Sequence, residues 1–149
     1  MPESTQNTKG IDLPVGFETV EQFLTRTLTD DGSLQTAGTP QNQALVSLIT
    51  NFPTLDPNLG ANDQTQITQV YALNTIYFST DGPNWSNRDG WTGAIDPCTV
   101  PTWQGIVCDS PLDESVAEVT VLDLGDNDLL GVLPSEIRGL SSLCKSGKR

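Results

Sequence analysis

Residues Val119–Leu143 read VTVLDLGDNDLLGVLPSEIRGLSSL, and how this stretch folds decides the architecture of the chain. Alternation at Leu122, Asp123 and Leu124 suits a strand with one buried face. Leu129, Leu133, Ile137 and Leu140 then turn inward along a return path. Asn127 falls where the chain bends out of the strand, and its carboxamide can bond backbone groups there.

Val119, Leu122, Leu124, Asn127, Leu129, Leu133, Ile137, Leu140 and Leu143 fit the spacing L-x-x-L-x-L-x-x-N-x-L and its continuation. Gly131, Leu133 and Pro134 add a G-x-L-P step. The segment therefore resembles a plant-type leucine-rich repeat. That resemblance implies an α/β fold, with a helical cap and short cap strand leading into the first turn of a parallel-β solenoid. It makes the nine spaced residues the repeat framework, and turns Val121, Asp123, Gly125 and Asp126 toward a ligand. A second repeat would need apolar residues at 146 and 148, where Ser146 and Lys148 stand, so residues 144–149 read as a frayed tail.

The segment before the repeat supports the same resemblance. Trp103, Gly105, Ile106, Val107, Cys108 and Asp109 match the cap that precedes plant-type repeats, with Trp85 and Trp91 as its earlier tryptophans. Cys98 is the partner cysteine that this pattern supplies, which implies a Cys98–Cys108 disulfide. Two free buried thiols are the plainer alternative. Zinc is disfavoured by the absence of histidine and by three cysteines at unsuitable spacing. A cap has a mechanical purpose, because the first strand would otherwise present an open edge and bare leucines to water. Residues 106–108 are expected to lie beside 119–124 and cover it.

Three helices are expected upstream. Residues 1–38 read as linker, with a short amphipathic helix over 17–28 carrying Phe17, Val20, Leu24 and Leu28. Residues 39–62 read as a flanking helix and connector. The helix starts at the Thr39 cap with Pro40 in its first position, and its apolar face is Ala44, Leu45, Leu48 and Ile49. The cap proper covers 63–118: a helix over 63–79, begun by Asp63 and Gln66 as a capping box, then the Trp/Cys block at 84–109. The repeat occupies 119–143.

Composition narrows the function classes. Nineteen acidic against 7 basic residues give a net charge of −12, with Lys145, Lys148 and Arg149 near the end of the chain. No basic patch invites nucleic acid, and no apolar run approaches the ~20 residues of a membrane span. With no histidine, the Ser-His-Asp and Cys-His routes to an activated nucleophile are closed. The amino terminus lacks a signal-peptide pattern, whereas the expected disulfide and the triplet Asn84-Trp85-Ser86, an N-glycosylation acceptor, point to a secretory setting. Such triplets also arise by chance. The expectation is an extracellular chain or the ectodomain of a membrane-anchored parent.

Other constellations are weaker. DNDLLG at 126–131 begins like a calcium loop, but Leu130 and Ile137 occupy ligand positions. DDG at 30–32 and STDG at 79–82 read as turns. Asp113-Glu114 could serve a small hydrolase only within a deep acidic pocket, and a solvated loop is the simpler reading. Trp85, Trp91 and Trp103 could stack on sugars, although cap core is their commoner role. Cys144 is left over as an unpaired thiol.

The expected function is a non-enzymatic recognition or scaffold module without cofactor or metal. It would be the cap and first repeat of a receptor-like leucine-rich repeat protein, truncated from a longer array. Its partners would be a protein or peptide ligand, or further repeat units. The alternative is a capping partner or decoy that co-assembles with longer repeat proteins, or self-associates, through its open strand edge.

Overall fold

The computed structural model describes residues 18–111, 115–125 and 127–143. The expectations for the linker up to residue 16, Phe17, Asp113-Glu114, Asp126, Cys144 and the tail lie outside them.

Helix α1 spans Val20–Thr27 and begins in a capping box. The Gln22 amide donates to Thr19 Oγ1 at 3.0 Å, and the Thr19 amide donates to Gln22 Oε1 at 2.9 Å. It buries Phe23 and Leu24. The DDG turn follows: Gly32 adopts φ +89°, and Ser33 donates from both its amide and hydroxyl to Asp31 Oδ1, holding that carboxyl below its ordinary range. Helix α2, Pro40–Asn51, starts at the Thr39 cap and buries Ala44, Leu45 and Leu48. Ile49 is turned to solvent instead of completing that face.

Helix α3, Ala61–Ser79, is the centre of the molecule. It starts after Gly60 without a side-chain cap. The expected capping box is absent because both residues are engaged elsewhere: Asp63 Oδ2 accepts from the Asp56 amide and Gln66 Nε2 donates to Asp96 Oδ2. Every residue from Gln69 to Tyr77 is buried, so α3 is covered all round instead of along one stripe. Residues of α1, α2, α3, the tryptophan block and the carboxyl-terminal stretch share one apolar core. The helices before residue 62 are thus built into the same unit that the tryptophan block caps.

The fold class expected from the leucine pattern is overturned. The described residues form three helices and one two-stranded antiparallel sheet, with no parallel-β solenoid. Strand β1, Ile106–Cys108, pairs with β2, Val119–Leu122, in the register Ile106↔Leu122 and Val107↔Val121, and the register shifts before Cys108↔Val119. The physical reason is the connector. Asp109 and Glu118 close its base through Asp109 N–H to Glu118 O (2.9 Å) and Glu118 N–H to Asp109 Oδ1 (2.8 Å). A parallel partner would need a crossover of about a dozen residues or more. Strand β2 ends at Leu122, short of the expected 124. Beyond it the chain lays no further described strand, and a short 3₁₀ turn, Ser135–Gly139, docks on α3.

Candidate recognition face

Strand β2 is held from two sides. β1 covers one edge, and the Val119 amide donates to Oε1 of Gln69, a buried side chain of α3, at 2.8 Å. Gln69 Nε2 donates to Ala117 O at 3.3 Å and approaches Cys98 Sγ at 3.8 Å. One amide thereby ties the central helix, the strand entry and the disulfide together. Cys98 and Cys108 are bonded, with Cα atoms 5.7 Å apart. A polar side chain among the apolar residues of the longest helix was the available signal for Gln69, and the sequence reading passed over it.

Asn127 is buried and binds backbone at the bend, although its partner is not a stacked repeat. Its Oδ1 accepts from the Asn87 amide at 2.7 Å and its Nδ2 donates to Asn87 O at 2.8 Å. Asn127 therefore fastens the strand exit to the tryptophan block. Next, the Leu130 amide donates to Thr80 O, and Gly131 at φ +111° brings its Cα against the carboxyl end of α3. A Cβ at Gly131 would stand 2.2 Å from Ser79 O, which is why the G-x-L-P step needs glycine here.

The 3₁₀ turn carries an acidic latch that sequence reasoning missed. Glu136 is only 3% exposed. Its Oε2 accepts from Thr29 Oγ1 at 2.6 Å, and its Oε1 accepts from Gln41 Nε2 at 3.3 Å. Thr29 Oγ1 also lies 2.8 Å from Tyr71 OH. Since the threonine proton goes to the carboxylate, Tyr71 is the donor in that pair. Burial pushes the Tyr71 hydroxyl up to about 12, assisted by the nearby Glu136 charge. Arg138 completes the clasp by donating to Leu28 O.

The framework residues divide into three sets. Val119, Leu122, Asn127 and Leu140 are buried, Leu124, Leu129, Ile137 and Leu143 are half-buried, and Leu133 is 47% exposed. Leu122, Leu124, Gly125, Leu129, Leu133, Ile137 and Leu143 line an apolar cleft of ≈ 150 Å³. Leu130 and Val132 beside Leu133 in the chain are 67% and 79% exposed. Of the residues expected to face a ligand, Asp123 and Gly125 are exposed and Val121 is half-buried.

The tryptophans are core. Trp85 meets Trp91 edge-to-face with centroids 4.9 Å apart, Trp91 packs tilted against Trp103 at 5.2 Å, and Tyr77 meets Trp85 edge-to-face at 5.2 Å. Each indole nitrogen donates to a carbonyl, of Thr80, Gln104 and Ile95 respectively. With their faces covered, they offer nothing to a sugar. In the turn set aside as a calcium loop, Asp128 Oδ2 accepts from the Ser86 hydroxyl at 2.8 Å and the Asn127 side chain is spent on Asn87. The described residues hold no group of three or more Cys, Asp or Glu side chains suited to a metal ion. None of their helices is long and apolar enough to cross a membrane.

Compared with known proteins, the chain is 29% identical over 87 residues to a nodulation receptor kinase of Pisum sativum. The match covers 58% of this chain and 9% of that protein. No protein-family model matches the chain, and no solved structure matches it. The similarity is weak and partial, and it is to a receptor-like protein. The disulfide is compatible with an extracellular location.

Proposed function

We propose that this chain is a non-enzymatic recognition and scaffold module of a receptor-like, extracellular leucine-rich repeat protein. In it the tryptophan block and helices act as a cap, and the leucine framework is the seat for a leucine-rich partner segment. The observation that carries this reading is the one-sided cleft. Leu122 and its neighbours are sealed by β1 and α3 on one flank, while Leu124, Leu129, Leu133, Ile137 and Leu143 line an opening on the other. Surface apolar patches of this kind mark association sites. The similarity to a receptor kinase supports a receptor-like setting, and the disulfide supports a secretory one.

The occupant in this reading is further leucine-rich chain, contributed by a parent protein or by a longer homologue. Asp123 and Gly125 at the cleft's approach supply a polar contact for a protein or peptide. The test is titration of the full chain with a separately produced leucine-rich repeat array whose own cap has been removed, followed by light scattering after size exclusion. Saturable 1:1 binding that Leu133→Asp abolishes is expected. Failure of the array to bind at concentrations where the chain is folded overturns the reading. A salt-insensitive homodimer, lost with the same substitution, would favour the capping or co-assembly role over ligand recognition, since the exposed leucines would then be satisfied by a second copy.

A further inference from the structure

The triplet Asn84-Trp85-Ser86 takes no part in the cleft, and its three side chains diverge. Trp85 points inward, with its Nε1 donating to Thr80 O at 3.0 Å. Asn84 and Ser86 on either side of it are exposed. Asn84 closes a short 3₁₀ turn, Gly82–Asn84, and its Nδ2 donates to Asp81 Oδ1 at 2.9 Å on the surface. No described residue buries the carboxamide. An Asn-x-Ser triplet with an exposed asparagine on a turn, in a chain that carries a disulfide, meets the requirements of the oligosaccharide acceptor.

We infer that Asn84 is an N-glycosylation site, an inference that rests on the secretory reading above. In the transfer, Asn84 Nδ2 attacks the anomeric carbon of an oligosaccharide carried on a lipid pyrophosphate. A carbon–nitrogen bond forms and the anomeric carbon–oxygen bond breaks. The lipid pyrophosphate departs with the bonding electrons, and the nitrogen gives up one proton to solvent. The nitrogen keeps its second hydrogen, so it remains a donor after modification. Asn84 is exposed, so the fold leaves room for the glycan.

The Ser86 hydroxyl, which the acceptor triplet requires, donates in the folded chain to Asp128 Oδ2 at 2.8 Å, 42 residues further on. That bond joins residues 42 apart and forms only on folding, so the hydroxyl is free in a chain read before it folds. After folding, the glycan stands beside the turn that carries Asp128 and the exposed Leu130, whose amide shares Thr80 O with Trp85. That rim is then shielded by sugar.

The experiment expresses the full chain behind a cleavable secretory leader in a eukaryotic cell. Intact mass is read before and after peptide-N-glycosidase treatment, and alkylation reports the Cys98–Cys108 bond. The expected result is a single removable glycan, whose removal converts Asn84 to aspartate. Asn84→Gln and Ser86→Ala abolish it, and Ser86→Thr, which keeps a hydroxyl for Asp128, retains or raises occupancy. A secreted, disulfide-bonded chain with unmodified Asn84 overturns this inference and leaves the secretory reading standing. A glycan that persists in Ser86→Ala also overturns it. A chain retained in the cell with free thiols at 98 and 108 sinks both.

Discussion

Consider opening the Cys98–Cys108 bridge, either with reductant or by the double substitution Cys98→Ser, Cys108→Ser. The bridge spans a sequence separation of 10. Loop-closure entropy for a ring of that size is worth about 2.7 kcal/mol at room temperature. Contacts around the sulfurs add little, because Gln69 Nε2 and Ala117 O stand 3.8 and 3.6 Å from Cys98 Sγ and a thiol can keep both. The folded-to-unfolded ratio should therefore fall by roughly 100-fold. With a urea slope of about 1–3 kcal/mol per molar, the midpoint should move down by about 1–3 M. Tryptophan fluorescence is the natural readout, since Trp85, Trp91 and Trp103 are all buried beside the bridge-bearing block. Coincident urea curves for the oxidised and fully reduced chain would refute the reasoning. They would mean that β1 and its connector are held by packing alone.

The latch gives a second outcome. Glu136→Ala strands the Thr29 hydroxyl and the Gln41 amide and should cost about 1–3 kcal/mol in thermal or urea unfolding, while Glu136→Gln, which keeps an acceptor, should cost less; equal stability of wild type and the alanine variant counts against a structural latch. Tyr71 sets an alkaline limit. Its folded value of about 12 lies above the ordinary 10.0, so the stability it contributes is complete below pH 10 and is lost as the pH rises toward 12. Tyr71→Phe should flatten that loss, as followed by urea midpoints across the range together with phenolate absorbance. Gly131→Ala should destabilise by more than about 1 kcal/mol, from positive φ and the Ser79 carbonyl together, whereas Gly38→Ala, at φ +89° with open space around it, should cost less. Equal melting temperatures for the two variants would show that the helix end yields.

Local signals in the chain carried a good deal. The Thr39-Pro40 start of α2 is legible because cap and first-turn chemistry act within four residues. The Cys98–Cys108 pairing and the approach of 106–108 to 119–122 followed from a family pattern that specifies neighbours. The α3 start was misjudged for a related reason. Asp63 and Gln66 have the right types at the right spacing for a cap, but the Asp56 amide and Asp96, distant in sequence, claim them. The recognition cleft was only half legible. The framework leucines were identified, but which of them the helices would cover depended on where the return path docks.

From its sequence alone, this protein was bound to be acidic, histidine-free and built of helices followed by a tryptophan-cysteine block and a leucine framework, because composition and near-neighbour spacing set those features. The direction of the sheet, the burial of Glu136 against the first two helices, and the reuse of Asn127 to grip Asn87 were decided only in three dimensions. A leucine spacing specifies which side of the chain is apolar. What covers that side is settled by whichever surface arrives first and closest, and here α3 and its neighbours take Leu140 and Val119 while Leu133 is left in the open.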